Sequence, residues 1–143
     1  MEVLNKVLCV NDSEMNLFIF ERLIEQTAFA KEVVSVSNGQ EAIDYYLKLV
    51  ENSSEGFYHP DLILLDIDMP VMNGWDFLSR FTQSFLPLFP NTQVVITSFS
   101  IDDKDFEKAK QYPYIIDFRN TPMTIDYFKK LKPKIMDAIL LAD

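Results

Sequence analysis

The sequence predicts an α/β fold built on a parallel five-stranded sheet, and three observations predict it. Five short runs rich in β-branched and large apolar residues alternate with five segments whose apolar residues fall at helical spacing. Strand and helix candidates take strict turns, which is the rhythm of parallel strands joined by crossover helices. A chain of 143 residues with 48% hydrophobic content can bury a substantial core, so a single domain over residues 1–143 is expected.

The first strand is expected over Lys6–Asn11, where Val7-Leu8-Cys9-Val10 is apolar throughout. Glu14–Phe29 follows as a helix, with Leu17, Phe20, Leu23 and Ile24 along one face and Ser13 able to accept a hydrogen bond from a free backbone N–H at its start. Glu32–Ser37 reads as the second strand and Gln40–Glu51 as the second helix. The polar stretch Asn52-Ser53-Ser54-Glu55-Gly56 is a loop and not a domain boundary. Asp61–Asp66, Gly74–Phe85 and Gln93–Thr97 supply the third strand, third helix and fourth strand. Asp102–Gln111 is the fourth helix, with Ser100 as its candidate cap and Asp102 and Asp103 placing negative charge at its N-terminus. Tyr114–Phe118 is the fifth strand. Thr124–Leu141, with Asp126 in its first turn, is the last helix; Pro133 inside it removes a backbone hydrogen bond and predicts a kink near Lys129 or a fresh start at Pro133. No internal repeat, low-complexity tract or linker interrupts this order.

Composition narrows the function. Lys and Arg total 13 against 22 Asp and Glu, a net charge of −9, which argues against bulk attraction to nucleic acid or to an anionic membrane surface. The one cysteine, Cys9, lies in an apolar run, so it is expected to be a buried thiol in a reducing cytoplasm. No signal peptide and no apolar run of membrane-spanning length are visible, and a soluble cytoplasmic protein is expected. His59 precedes Pro60 and reads as a loop residue.

The informative stretch is LILLDIDMPVMNG, Leu62 to Gly74, in which four large apolar residues run directly into a carboxylate. In open α/β sheets ligands gather at the carboxyl ends of the strands. A parallel sheet brings Asn11-Asp12, Asp66, Thr97-Ser98 and Thr121-Pro122 to one edge. Two carboxylates there repel each other unless a cation joins them, and Mg²⁺ suits hard oxygen ligands. A carboxylate beside a divalent ion, with a hydroxyl nearby, is a plausible phosphoryl acceptor.

Together, Val10-Asn11-Asp12, LLDIDMPVMNG around Asp66, Val94-Val95-Ile96-Thr97-Ser98 and Asp117-Phe118-Arg119-Asn120-Thr121-Pro122-Met123-Thr124 resemble a response-regulator receiver domain of two-component signalling, chemotaxis-regulator-like and over essentially the full length. The resemblance implies a flavodoxin-like (βα)5 doubly wound sheet with strand order 2-1-3-4-5. It implies that Asp66 accepts a phosphoryl group from a histidine kinase or phosphotransfer protein and that Mg²⁺ is the cofactor. Asp12, Asp66 and the backbone carbonyl of Asp68 would bind that ion, and Asn11 would hold it through a water. Thr97 would bond the phosphoryl oxygen and Phe118 would follow it as the switch aromatic. A downstream protein, or transiently a second copy, would use the surface of helix 4, strand 5 and helix 5. Each residue also has a plainer reading: Asp66 as a turn residue, Asp12 as a helix cap, Thr97 and Phe118 as packing, the Asp68 side chain as solvated.

Two departures stand out against that family. Asn11 replaces one of two usual acids, which lowers the charge available to Mg²⁺. Thr121 replaces the usual lysine before the proline, and a hydroxyl cannot balance phosphate charge. Arg119, two residues earlier on the same strand face, is a candidate compensating cation reaching toward Asp66. Three functions compete: a stand-alone phosphorylation-dependent receiver, a degenerate receiver acting as a constitutive binding module, and, more remotely, a haloacid-dehalogenase-like phosphohydrolase using the Asp66–Asp68 pair. The expectation is a signalling protein whose own chemistry is limited to phosphorylation and dephosphorylation of Asp66.

Overall fold

The computed structural model describes residues 3–52 and 58–142, so the predicted loop residues Ser53 to Gly56 lie outside it. Elements alternate as β1 (Leu4–Val10), α1 (Glu14–Gln26), β2 (Ala30–Val36), α2 (Gly39–Glu51), β3 (Leu62–Leu65), α3 (Gly74–Ser84), β4 (Gln93–Ser98), α4 (Asp103–Ala109), β5 (Ile115–Asn120) and α5 (Ile125–Ala142). All strand pairs are parallel and the order is β2-β1-β3-β4-β5, the flavodoxin-like arrangement expected.

Side-chain alternation along the central strands splits the core into two layers. Leu8, Val10, Ile63, Leu65, Val94 and Ile96 face α2 and α3, meeting Ile43, Tyr46, Phe77 and Phe81. Val7, Cys9, Leu62, Leu64 and Val95 face α1 and α5, meeting Phe20, Ile24, Phe128 and Ile135. Covered on both faces, β3 and β4 are buried throughout, which is why their sequences read as continuous apolar runs. Cys9 is buried among these side chains, and its thiol is pushed well above the ordinary range by burial, with the Glu21 charge adding to it.

Helix ends differ from expectation for local reasons. α1 stops at Gln26 and not at Phe29, because Ala28 takes a left-handed φ of 49° and the N–H groups of Phe29 and Ala28 return to the carbonyls of Ile24 and Glu25. That pattern is a Schellman closure, here with alanine where glycine is usual, and it releases Phe29 to pack edge-on against Phe128 at 5.1 Å. Ser13 caps α1 as expected, accepting the Asn16 N–H at 3.2 Å. Ser100 does not cap α4. Asp102 does, in a capping box: its side chain accepts the Asp105 N–H at 3.1 Å while Asp105 accepts the Asp102 N–H at 2.9 Å. α5 runs through Pro133 without the predicted fresh start, held by buried Leu131 and Ile135 on either side.

Candidate functional site

The register sets the row. Val10 pairs with Leu65 and Leu65 with Ile96, so Asn11, Asp66 and Thr97 each stand one residue past a matched position on adjacent strands. The strand order reverses between β1 and β3, and the crevice at such a switch point is where ligands of doubly wound sheets bind. A cavity of about 240 Å³ opens there, lined by Asn11, Asp12, Ser13, Asn16, Asp66, Asp68, Thr97, Ser98, Phe99 and Thr121.

The loop after β3 is built to present Asp66. Its N–H donates to the Val10 carbonyl at 2.9 Å, which keeps the residue in line with the sheet. Gly74 lets α3 close on this turn: a Cβ there would lie 2.7 Å from the Asp66 carbonyl oxygen and 2.8 Å from Ile67 Cα. Asn73 caps α3 by accepting the Asp76 N–H at 2.9 Å. Between them, exposed Val71 is held at φ 69°, a strained conformation for a β-branched residue.

Asp66 is 7% exposed. Its Oδ1 accepts the Asp68 N–H at 3.0 Å and faces the Ser98 hydroxyl at 3.4 Å. Burial pushes the carboxyl up to about 6; the Asp68 N–H lowers it, Asp12 and Asp68 repel it, and the Ser98 hydroxyl lowers it again. Buried Asn11 uses its side-chain oxygen to accept the Ser13 N–H at 2.8 Å, and a second lone pair on that oxygen remains for a water. Thr97 is fully buried, and its hydroxyl has no hydrogen-bond partner among the described residues. A buried orphan hydroxyl facing a cavity of carboxylates is a group waiting for an acceptor.

This donor set fits Mg²⁺. The acids that line the cavity, Asp12, Asp66 and Asp68, offer hard oxygens. No group of three or more His, Cys, Asp or Glu side chains that could hold a metal occurs among the described residues.

A sequence model of the response regulator receiver domain matches residues 7–115. The chain belongs to the response-regulator receiver family. It is 31% identical over 128 residues to Two-component response regulator 24 of Arabidopsis thaliana, covering 90% of this chain and 81% of that protein. It is 29% identical over 105 residues to the polar-differentiation response regulator DivK of Brucella ovis, covering 73% and 75% of the two chains. A two-component response regulator from Cytophaga hutchinsonii superposes with a TM-score of 0.81 at 29% identity, covering 95% of this chain and 99% of that one. Receiver domains of this family generally bind Mg²⁺ at the phosphorylation site and act with histidine kinases or phosphotransfer proteins and downstream targets.

Within this receiver, Asp12, Asn11, Asp66, Asp68, Thr97 and Thr121 are brought together at one rim. Arg119 is not. It does not line the cavity, and its guanidinium lies 4.4 Å from the centre of the Tyr127 ring on α5. The candidate compensating cation is therefore held by an aromatic face that strand periodicity could not foresee. Tyr127 itself donates to Asp117 at 2.7 Å, and burial foremost, with the Asp117 carboxylate adding to it, pushes the phenol well above its usual range. Among the described residues no lysine or arginine lines the cavity. Phe118 points to the opposite face of β5 from Arg119 and packs on Phe106 of α4 at 4.6 Å. His59 lies near the amino end of β3, its ring 4.7 Å from Phe89, away from the site. Asn16 and Phe99 are lining residues that the sequence did not single out, and Ser98, which the sequence placed at this edge beside Thr97, had been given no role.

Among the described residues no helix is long and apolar enough to cross a membrane.

Proposed function

We propose that this receiver is a phosphorylation-dependent switch of the cytoplasm. Asp66 accepts a phosphoryl group from a histidine kinase or phosphotransfer protein, with Mg²⁺ held by Asp12, Asp66 and the Asp68 carbonyl and, through a water, by Asn11. The observation that carries this reading is the convergence of Asp12 and the raised Asp66 carboxyl in one cavity with the orphan Thr97 hydroxyl. When bound, Mg²⁺ would supply positive charge to balance the Asp12 and Asp66 carboxylates and the phosphoryl oxygens, and Thr97 donates its hydroxyl proton to a phosphoryl oxygen. Asn11 in place of an acid weakens Mg²⁺ affinity.

The response reads out on α4, β5 and α5. Thr97 sits on β4 opposite Arg119, next to Phe118, and Phe118 leans on Phe106 of a seven-residue helix with no buried residue. Exposed Phe106, Ile116 and Ile125 give that face an apolar character suited to a downstream protein or a second copy. A cavity without a basic residue is the specific support for the second reading, a phosphorylation-independent binding module. Titrating beryllofluoride with Mg²⁺ while following Trp75 fluorescence separates them. The switch gives a saturable change that requires both reagents; no change at any concentration leaves the binding module.

A further inference from the structure

We propose that the chain carries a second ligand site, at the end of the sheet opposite Asp66, where Lys6 and Tyr45 bind a small organic monocarboxylate with an apolar body. A cavity of about 310 Å³ opens there, larger than the one at Asp66 and lined by Lys6, Glu32, Tyr45, Lys48, Leu49 and Asn52. The topology sets its place. Lys6 lies near the start of β1 beside Glu32 of the edge strand β2, and Tyr45, Lys48 and Leu49 come from the second half of α2. By strand alternation Lys6 shares the sheet face of Leu8 and Val10, and it is 7% exposed, in a position that an apolar side chain would fill without desolvating a charge. None of these residues belongs to the machinery around Asp66, so the site stands independently of the phosphorylation reading.

Two polar groups in this cavity lack what burial requires. The Lys6 ammonium has one carboxylate within reach among the described residues, Glu32 Oε2 at 3.6 Å, which is too long for a hydrogen bond and belongs to a side chain 62% exposed. The Tyr45 hydroxyl is buried with no hydrogen-bond partner among the described residues. The two groups are neighbours: Lys6 Nζ lies 5.9 Å from the centre of the Tyr45 ring, and burial raises the Tyr45 phenol while the Lys6 charge works against that rise. An ammonium and a hydroxyl can both donate, so one negatively charged acceptor satisfies them together. Charge fixes the class of ligand. Lys6 and Lys48 face one Glu32 in a chain of net charge −9, which leaves this cavity positive enough for a monoanion, while Glu32 repels a dianion. Buried Leu49 and the Tyr45 ring offer apolar wall to the rest of the molecule, in a volume at the small end of ligand sites.

The test follows backbone amide shifts of the isotope-labelled full chain in Mg²⁺-free buffer near neutral pH. Sodium benzoate is the probe, and benzamide, its uncharged analogue, is titrated in parallel. Benzoate is expected to saturate at about millimolar concentration, with shifts on the amino halves of β1 and β2 and the second half of α2. Benzamide should bind at least about tenfold more weakly. Lys6→Met keeps the length of the side chain without its charge and weakens benzoate at least about tenfold; Tyr45→Phe removes the hydroxyl alone and weakens it about fivefold. Glu32→Gln releases Lys6 from its competitor and tightens benzoate about twofold, a gain that a merely structural ion pair does not give. The absence of any saturable shift overturns the proposal, as does benzamide binding as well as benzoate. So does a benzoate affinity that neither Lys6→Met nor Tyr45→Phe changes, or shifts confined to the residues around Asp66.

Discussion

The two strands that frame the chemistry are held very differently. β3 lies in the middle of the sheet, its four residues Leu62 to Leu65 all wholly buried and its neighbours paired on both sides. β5 is an edge strand, partly exposed along its length, joined to β4 with a register irregularity near Val94 and flanked by a helix with no buried residue. Asp66 hangs from the first and Thr121 from the end of the second. The difference teaches how a small domain can separate tasks: the carboxylate proposed to react sits on the part that cannot give way, and the surface proposed to respond is built on the part that can.

The largest effect that sharpens this contrast is in stability. Leu64→Ala removes a fully buried side chain from β3 and is expected to cost about 2–5 kcal/mol. Phe118→Ala on β5 removes a half-buried ring and should cost roughly 1 kcal/mol. Urea unfolding of both variants measures the gap, and equal losses would erase the distinction between the strands.

Next comes the electrostatic cost of the rigid end. Asp66 in the folded chain titrates near 6, above its ordinary value of 3.8, so between those values the native state binds more protons than the unfolded chain. Its stabilising contribution is therefore full below about pH 4 and lost as pH rises through about 6. In Mg²⁺-free buffer Asp66→Asn should be about 2 kcal/mol more stable than wild type near pH 7.5 and equal to it near pH 4. Thermal melts across that range report it, and a difference independent of pH would mean that burial of Asp66 is not the cause. Mg²⁺ affinity of the wild type should fall over the same window as the ligand protonates.

A smaller effect probes the loose end. Thr121→Lys supplies an ammonium where no lysine or arginine lines the cavity, and should tighten beryllofluoride binding about tenfold in the presence of Mg²⁺. Calorimetric titration measures it, and an unchanged affinity would show that the edge strand does not bring residue 121 to the phosphoryl group.

The same contrast explains what was legible in the sequence. β3 and β4 announce themselves because burial on both faces leaves no polar position, and Asp66 stands out as the carboxylate that ends such a run. Asp12 and Thr97 follow from parallel strand order alone. The ends of elements were harder. Ala28 closes α1 without the glycine that usually signals it, and Asp102 displaced Ser100 because a reciprocal pair with Asp105 satisfies two donors at once. Arg119 and Ser98 depended on contacts between elements: the first on Tyr127 of α5, the second on the β3–β4 register that brings one hydroxyl to two acids. Periodicity gives the face a residue points to, and the partner across that face is a tertiary fact.

The central claim is that Asp66 receives the phosphoryl group with Asp12 and Mg²⁺ beside it. Intact-protein mass spectrometry after incubation with acetyl phosphate tests it most directly, comparing wild type, Asp66→Ala and Asp12→Ala with Mg²⁺ and with chelator. The account predicts the mass gain of one phosphoryl group in wild type with Mg²⁺, none in Asp66→Ala, and a strongly reduced gain in Asp12→Ala or with chelator. A full gain in Asp66→Ala, or one in wild type indifferent to Mg²⁺, would contradict it.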